Sequence, residues 1–230
     1  MDATLARPAL VAATRRRRDA NVLAAMVLAG QHEGLQAARR QLDAADVPLS
    51  AADAAACARA VVLGGGLDDV DRLVTGLHRA PAEMLGALGA LGYVEAVPMM
   101  LEHLEHHMPS VRRAAARALT TLTGAALTPD GDGASPDPEG SFDPLCTDPG
   151  RWHDYWRSQP HRLTSSRQRY RRGHPWSLAA SASALGTLAL PLGERQLEAD
   201  ELAARAGTSP LEADWRAARQ RAHLAKHHPG

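Results

Sequence analysis

At 230 residues the chain is long enough to bury a substantial core in one or two domains, and its 45% hydrophobic and 23% charged residues are ordinary for a globular protein. Aromatic residues are only 3%, so the core must be filled by Ala, Leu and Val, which suits closely approaching helices better than a β-sandwich. Acidic and basic residues balance at 26 each, which excludes a global field that would draw nucleic acid or an anionic membrane.

Residues 1–16 read as an N-terminal arm. The arginine run Arg15 to Arg18 precedes the apolar run Val22 to Ala29. That is the order of a signal peptide, but it begins late and no small-x-small site precedes polar sequence. The apolar run is also too short to span a membrane. The pattern instead predicts a helix over 17–29, paired with a second over 33–45 across a turn near Gly30-Gln31. The expected location is cytoplasmic. Cys57 and Cys146 lie far apart and are expected as reduced thiols, with a single disulfide as the alternative.

The stretch 50–124 carries two internal copies offset by 27 residues. Leu67, Val70, Val74 and Leu77 of the first align with Val94, Val97, Leu101 and Leu104 of the second, at i, i+3, i+7 and i+10, one apolar stripe on a helix. Gly65-Gly66 and Gly92 precede these stripes and end the helices before them. In those preceding helices Met84, Leu88 and Leu91 align with Val111, Ala115 and Ala118. Pro81 and Pro109 are expected at helix starts, Pro98 in a first turn, and Ser50 and Ser110 as N-caps. A single hairpin of this size cannot bury its own apolar face, so stacked neighbours must supply the missing core.

Thr128 to Gly150 is rich in Pro, Asp and Gly and breaks the pattern. At its end, Asp148-Pro149 starts a helix that places Trp152, Tyr155 and Trp156 on one face. Arg162 to Arg172 is basic. His174-Pro175 is expected to open a helix running through Leu185, and Glu194 to Ala206 forms another, closed by Gly207. Ser209-Pro210 starts the last, with Leu211, Trp215, Ala218 and Leu224 inward.

Gly92-Tyr93-Val94-Glu95-Ala96-Val97-Pro98, followed by Ser110-Val111-Arg112-Arg113-Ala114-Ala115-Ala116-Arg117-Ala118-Leu119, resembles the bacterial HEAT repeat. Its usual form is a Gly, a short acidic turn, Ala-Val-Pro, then Val-Arg with small residues and Ala-Leu. The order Asp148-Pro149, Trp152, Trp156, Arg169-Tyr170-Arg171-Arg172-Gly173, Glu194-Arg195, Glu201-Leu202 and Trp215 is similar to a family of HEAT-repeat proteins often found beside bacterial type VI secretion genes. That resemblance implies a cytoplasmic accessory or scaffold role. The chain is short at its N-terminus for that family.

Candidate chemistry is sparse. His103, His106 and His107 could present imidazoles to a metal at i, i+3 and i+4, but read better as a solvent face opposite Val97, Leu101 and Leu104. His32-Glu33 resembles one iron-ligating pair of the HEAT-repeat hydroxylase of the hypusine pathway, a site that needs several such pairs. Nothing marks the chromophore groove of the HEAT-like bilin lyases, and Cys57 reads as a small core residue. Gly64-Gly65-Gly66 lacks the Lys-Ser/Thr of a phosphate loop.

The expected fold is all-α: a short α-solenoid of HEAT-like helical hairpins over 17–124, a Pro/Asp/Gly-rich loop over 125–147, and a helical C-terminal region over 148–230 that caps or packs on the solenoid. The expected function is a non-enzymatic scaffold or adaptor binding another protein, with no cofactor, metal or catalytic residue. Candidate partner-binding residues are Trp152, Tyr155, Trp156, Arg169, Arg171 and Arg172, with Tyr93, Met99, Met100 and His103 flanking the repeat stripe. The alternatives are nucleic-acid or phosphate binding through the Arg-rich tail, disfavoured by the neutral net charge, and a metal- or ligand-dependent enzyme in a HEAT frame. Trp152, Tyr155 and Trp156 have two readings, a cap over the last hairpin or a hot spot for a partner.

Overall fold

The computed structural model describes residues 20–44, 48–128, 145–159, 163, 165, 167–187, 190 and 192–208. The N-terminal arm, Arg15 to Arg18, Arg162, and the last expected helix with Leu211, Trp215, Ala218 and Leu224 lie outside the described residues, as does most of the loop at 125–147. Among the described residues the regular structure is ten α-helices, short 3-10 turns and one two-stranded ladder, so the fold is predominantly α. None of these helices is long and apolar enough to cross a membrane. The chain divides into two compact units, Met1–Asp69 with Trp176–Gly230, and Val70–Pro175. These divisions do not coincide with the expected boundaries at 124 and 148.

In the first unit, α1 (Ala20–Leu28), α2 (His32–Asp43) and α3 (Ala51–Gly64) pack pairwise. Gly30, at φ +71°, makes the α1–α2 turn, where Gly30 N–H donates to Val27 O at 2.9 Å and Gln31 N–H to Met26 O at 2.8 Å. Gly34 lets the two helices meet; a Cβ there would sit 2.7 Å from Leu23 O and from Met26 Cβ. Ser50 caps α3 as expected, accepting Asp53 N–H at 3.1 Å while its hydroxyl donates to Asp53 Oδ2 at 2.7 Å. The core is Leu23, Met26, Leu42, Cys57, Val61 and Leu63, small and aliphatic as the composition requires. Cys57 and Cys146 are both buried free thiols. Later in the chain α9 (Leu178–Thr187) and α10 (Leu192–Ala206) join this unit, and α10 packs on α1 and α3. Gly207, at φ +66°, closes α10.

In the second unit, α4 (Val70–Gly76), α5 (Pro81–Leu91), α6 (Val97–Glu102) and α7 (Pro109–Thr123) carry the repeat. The 27-residue offset is reproduced in local structure: 3-10 turns at Leu67–Asp69 and Val94–Ala96 lead directly into α4 and α6. Met84, Leu88 and Leu91 on α5 and Val111, Ala115 and Ala118 on α7 are all buried. At Gly89 the two helices approach so closely that a Cβ would lie 2.5 Å from Ala118 Cα. Pro81, Pro98 and Pro109 fall in first turns, where a missing N–H is harmless. Ser110 is not a cap: α7 begins at Pro109 with Met108 as its N-cap and no side-chain cap bond, because proline takes the first helical position.

The second correction concerns His174-Pro175, which opens no helix. It forms β2, pairing antiparallel with β1 (Tyr170–Arg171) across the turn Arg172-Gly173. Both turn residues have positive φ, 52° and 77°, the twist a two-residue hairpin demands. Helix α9 starts only at Leu178, with Ser177 Oγ accepting Ala180 N–H at 3.1 Å.

Candidate functional site

Helix α8 (Pro149–Ser158) begins where Asp148 Oδ1 accepts Arg151 N–H at 2.9 Å and Pro149 occupies the first position. Its three aromatic residues divide by role. Trp152 is 1% exposed, and its Nε1–H donates to Cys146 O at 2.7 Å. Tyr155 meets it edge-on, with centroids 6.0 Å apart at 80°. Tyr155 and Trp156 are half-exposed. Helix α8 packs on α6, which carries half-exposed Met99 and runs into half-exposed His103. His103 Nδ1 lies 2.7 Å from Met99 O, so the ring is held against its own helix. Tyr93 and Met100, expected beside them, are buried at 7% and 0% and belong to the core.

The arginine run also divides. Arg169 and Arg171 are buried at 7% and 6% and turn inward. Arg169 Nε donates to Leu91 O at 2.7 Å and its Nη2 to Ala90 O at 3.3 Å, while Arg171 Nη2 donates to Ala90 O. These carbonyls end α5, where a helix has unsatisfied acceptors and negative dipole charge, so two guanidiniums are well placed there. Arg167 is exposed and Arg172 half-exposed. The run expected to face a partner therefore leaves only part of its charge at the surface.

His103, His106 and His107 stack in sequence, with centroids 6.1 Å and then 4.3 Å apart. Among the described residues no group of three or more His, Cys, Asp or Glu could hold a metal ion. The His106 ring serves the bend before α7 instead. His106 Nδ1 accepts Met108 N–H at 3.1 Å, and Arg112 Nη1 donates to His106 O and His107 O at 3.0 and 3.2 Å. Desolvation first, and then the charges of His107, His103 and Arg112, lower the His106 pKa from its ordinary 6.5. A histidine whose folded pKa is depressed favours folding above its unfolded pKa and loses that contribution as pH falls below it. NMR titration is expected to give His106 a midpoint below 6.5, with the Met108 amide resonance moving at the same pH. A midpoint at or above 6.5 would show that Nδ1 is not held as an acceptor.

Two features have no local signature in the sequence. Helix α10 buries three carboxylates, Glu198, Asp200 and Glu201, each 3% exposed or less. Ser181 Oγ donates to Glu198 at 2.7 Å, Arg59 pairs with Asp200, and Arg205 Nε donates to Glu201 at 2.8 Å. The second feature is Arg205 itself, whose Nη2 donates to Val62 O at 3.1 Å and Gly65 O at 2.9 Å at the end of α3. Only the i, i+4 spacing of Glu201 and Arg205 could have been read in advance. His32, of the pair His32-Glu33, is exposed.

Comparison with known proteins finds no matching family model, no matching curated protein and no matching solved structure.

Proposed function

We propose that the chain is a non-catalytic scaffold, a short α-solenoid of HEAT-like hairpins that holds a fixed surface for another protein, acting in the cytoplasm. The observation that carries this reading is the pair of packed helices α6 and α8, which keep Met99, His103, Tyr155 and Trp156 half-exposed in a chain with only 3% aromatic residues. Buried Trp152 anchors that face from below, so the outer rings lose little further entropy on binding. Large amphipathic side chains on a rigid base are what interface hot spots use. The resemblance to HEAT proteins encoded beside type VI secretion genes makes a component of such an apparatus the first partner to test. The nucleic-acid reading is weakened by the burial of Arg169 and Arg171.

The test is affinity capture from a lysate of the source organism, with wild type and Trp156→Ala compared by mass spectrometry. The expected result is a defined protein retained by wild type and reduced about tenfold or more by the variant. The variant's stability should stay within about 1 kcal/mol of wild type, because the ring is only half-buried. Equal capture by both proteins would move the binding surface elsewhere. Recovery only of nucleic acid that salt removes would replace this reading with the basic one.

A further inference from the structure

The bend between α6 and α7 is held by hydrogen bonds, and one of them depends on which ring nitrogen of a histidine carries a proton. The bend runs from the 3-10 turn His103–Glu105 to Met108, the residue before α7. Met108 is its joint. The Met108 carbonyl accepts Val111 N–H and Arg112 N–H at 3.1 and 3.2 Å and so starts the helix, while the Met108 N–H donates to His106 Nδ1 at 3.1 Å. Its side chain is 46% exposed, so hydrogen bonds hold it and burial does not. Arg112 reaches back from α7 to the His106 and His107 carbonyls and closes the same loop.

His103 and His106 carry opposite tautomers. Met99 O can only accept, so His103 Nδ1, 2.7 Å away, carries the proton. Met108 N–H can only donate, so His106 Nδ1 carries none. Protonation therefore leaves the His103 bond in place and removes the His106 bond, because an imidazolium is a donor at both nitrogens. His106 is half-exposed and open to protons from solvent.

The charges that bear on His106 are those of His107, His103 and Arg112, all cationic. Arg113 adds another on α7, whose first turn holds no acid. Glu102 on α6 and Glu105 in the turn are exposed, where water screens them. On α8, His153 is exposed and Asp154 pairs with Arg157. A proton on His106 thus puts a cation near the positive end of the α7 dipole, in a ring stacked on those of His107 and His103. His103 ends that stack, and it also belongs to the surface proposed for a protein partner.

We propose that this bend is a proton-operated latch: on acidification His106 takes up a proton at Nδ1, releases the Met108 amide, loosens the first turn of α7 and shifts His103 and Met99 on the face beside it. The latch does not depend on the scaffold reading; only its regulation of binding at that face rests on that reading.

The full chain is followed by NMR from about pH 8 to about pH 5, with His106→Asn and His106→Leu beside wild type. Asparagine sets a non-titrating oxygen as many bonds from the backbone as Nδ1, whereas leucine offers no acceptor. His106 is half-exposed, so neither change should cost the fold. In wild type the Met108, Val111 and Arg112 amides and the Met99 methyl are expected to shift as His106 titrates. Protection of the Met108 amide from hydrogen exchange, relative to its intrinsic rate, should fall about three- to tenfold. His106→Asn should keep that protection at the acid end, and His106→Leu should lack it throughout. Constant protection of Met108 in wild type would overturn the latch, as would an equal loss in His106→Asn. A Met99 shift that persists unchanged in His106→Asn would overturn the coupling to the face, because the titration of His103 would then account for it.

Discussion

Arg39→Met is expected to lower the unfolding free energy by about 3–5 kcal/mol, measured by urea denaturation. The reason is its partner. Asp69 has no side-chain exposure, and Arg39 Nε and Nη2 each reach one of its oxygens at 2.8 Å. Gly66 N–H donates to Oδ2 at 3.0 Å. This carboxylate ends the 3-10 turn Leu67–Asp69, so the pair ties α2 to the turn after α3. The side-chain hydrogen bond to Asp69, followed by that residue's charge, raises the Arg39 pKa above its ordinary value. Removing the cation takes two charge-assisted hydrogen bonds from a buried carboxylate, which must then either stay charged or take up a proton.

Arg39→Lys should recover only part of the loss, because an ammonium cannot match two carboxylate oxygens at once. Asp69→Asn in the Arg39→Met background should recover more, since a neutral amide keeps an acceptor for Gly66 N–H and removes the buried charge. A change below about 1 kcal/mol for Arg39→Met would mean that water reaches Asp69 and solvates it as well as the guanidinium does.

The sequence made some of this fold readable for local reasons. The 27-residue repeat, the first-turn prolines, Ser50 and Asp148 depend only on near neighbours, and each acts as its chemistry predicts. Trp152, Tyr155 and Trp156 share a face because i, i+3 and i+4 must, but spacing could not say that Trp152 alone would be fully buried. That outcome depends on Cys146 O and on α6, which helical periodicity does not encode. The arginines mislead for the same reason. A run of positive charge is a solvated face in most proteins, yet Arg169 finds its acceptors 78 and 79 residues back along the chain. Helix α10 is the sharpest case. Acidic helix residues are usually solvated, but here the chain returns to α1 and α3, buries Glu198, Asp200 and Glu201, and brings Arg59 to Asp200. Of the candidate partner-binding residues, Tyr155, Trp156, Met99, His103 and Arg172 reach the surface in part.

Glycine substitutions separate two kinds of position that sequence alone does not distinguish. Gly92→Ala is expected to cost about 3–5 kcal/mol, while Gly86→Ala in the helix that Gly92 caps should stabilise by up to about 1 kcal/mol. At Gly86 nothing lies within 4 Å of a new Cβ, so alanine brings its better helix propensity alone. At Gly92 the backbone is left-handed at φ +79°, and a Cβ would fall 2.1 Å from Tyr170 O. Moving Tyr170 is not a local event. Its N–H donates to Gly92 O at 2.7 Å, and it lies between Arg169 and Arg171, which cap α5. Two residues on, Arg172 N–H and Gly173 N–H donate to Thr121 O and Leu122 O at 2.7 and 2.9 Å, closing α7 over Gly124. One strap, 169–173, therefore satisfies the carbonyl ends of two helices, and any shift that clears alanine at 92 strains its hold on both. Hydrogen exchange on Gly92→Ala should show lost protection at Tyr170, Arg172 and Gly173 together. Lost protection at Tyr170 alone would show that the two ends are held independently and that the strap does not act as one piece.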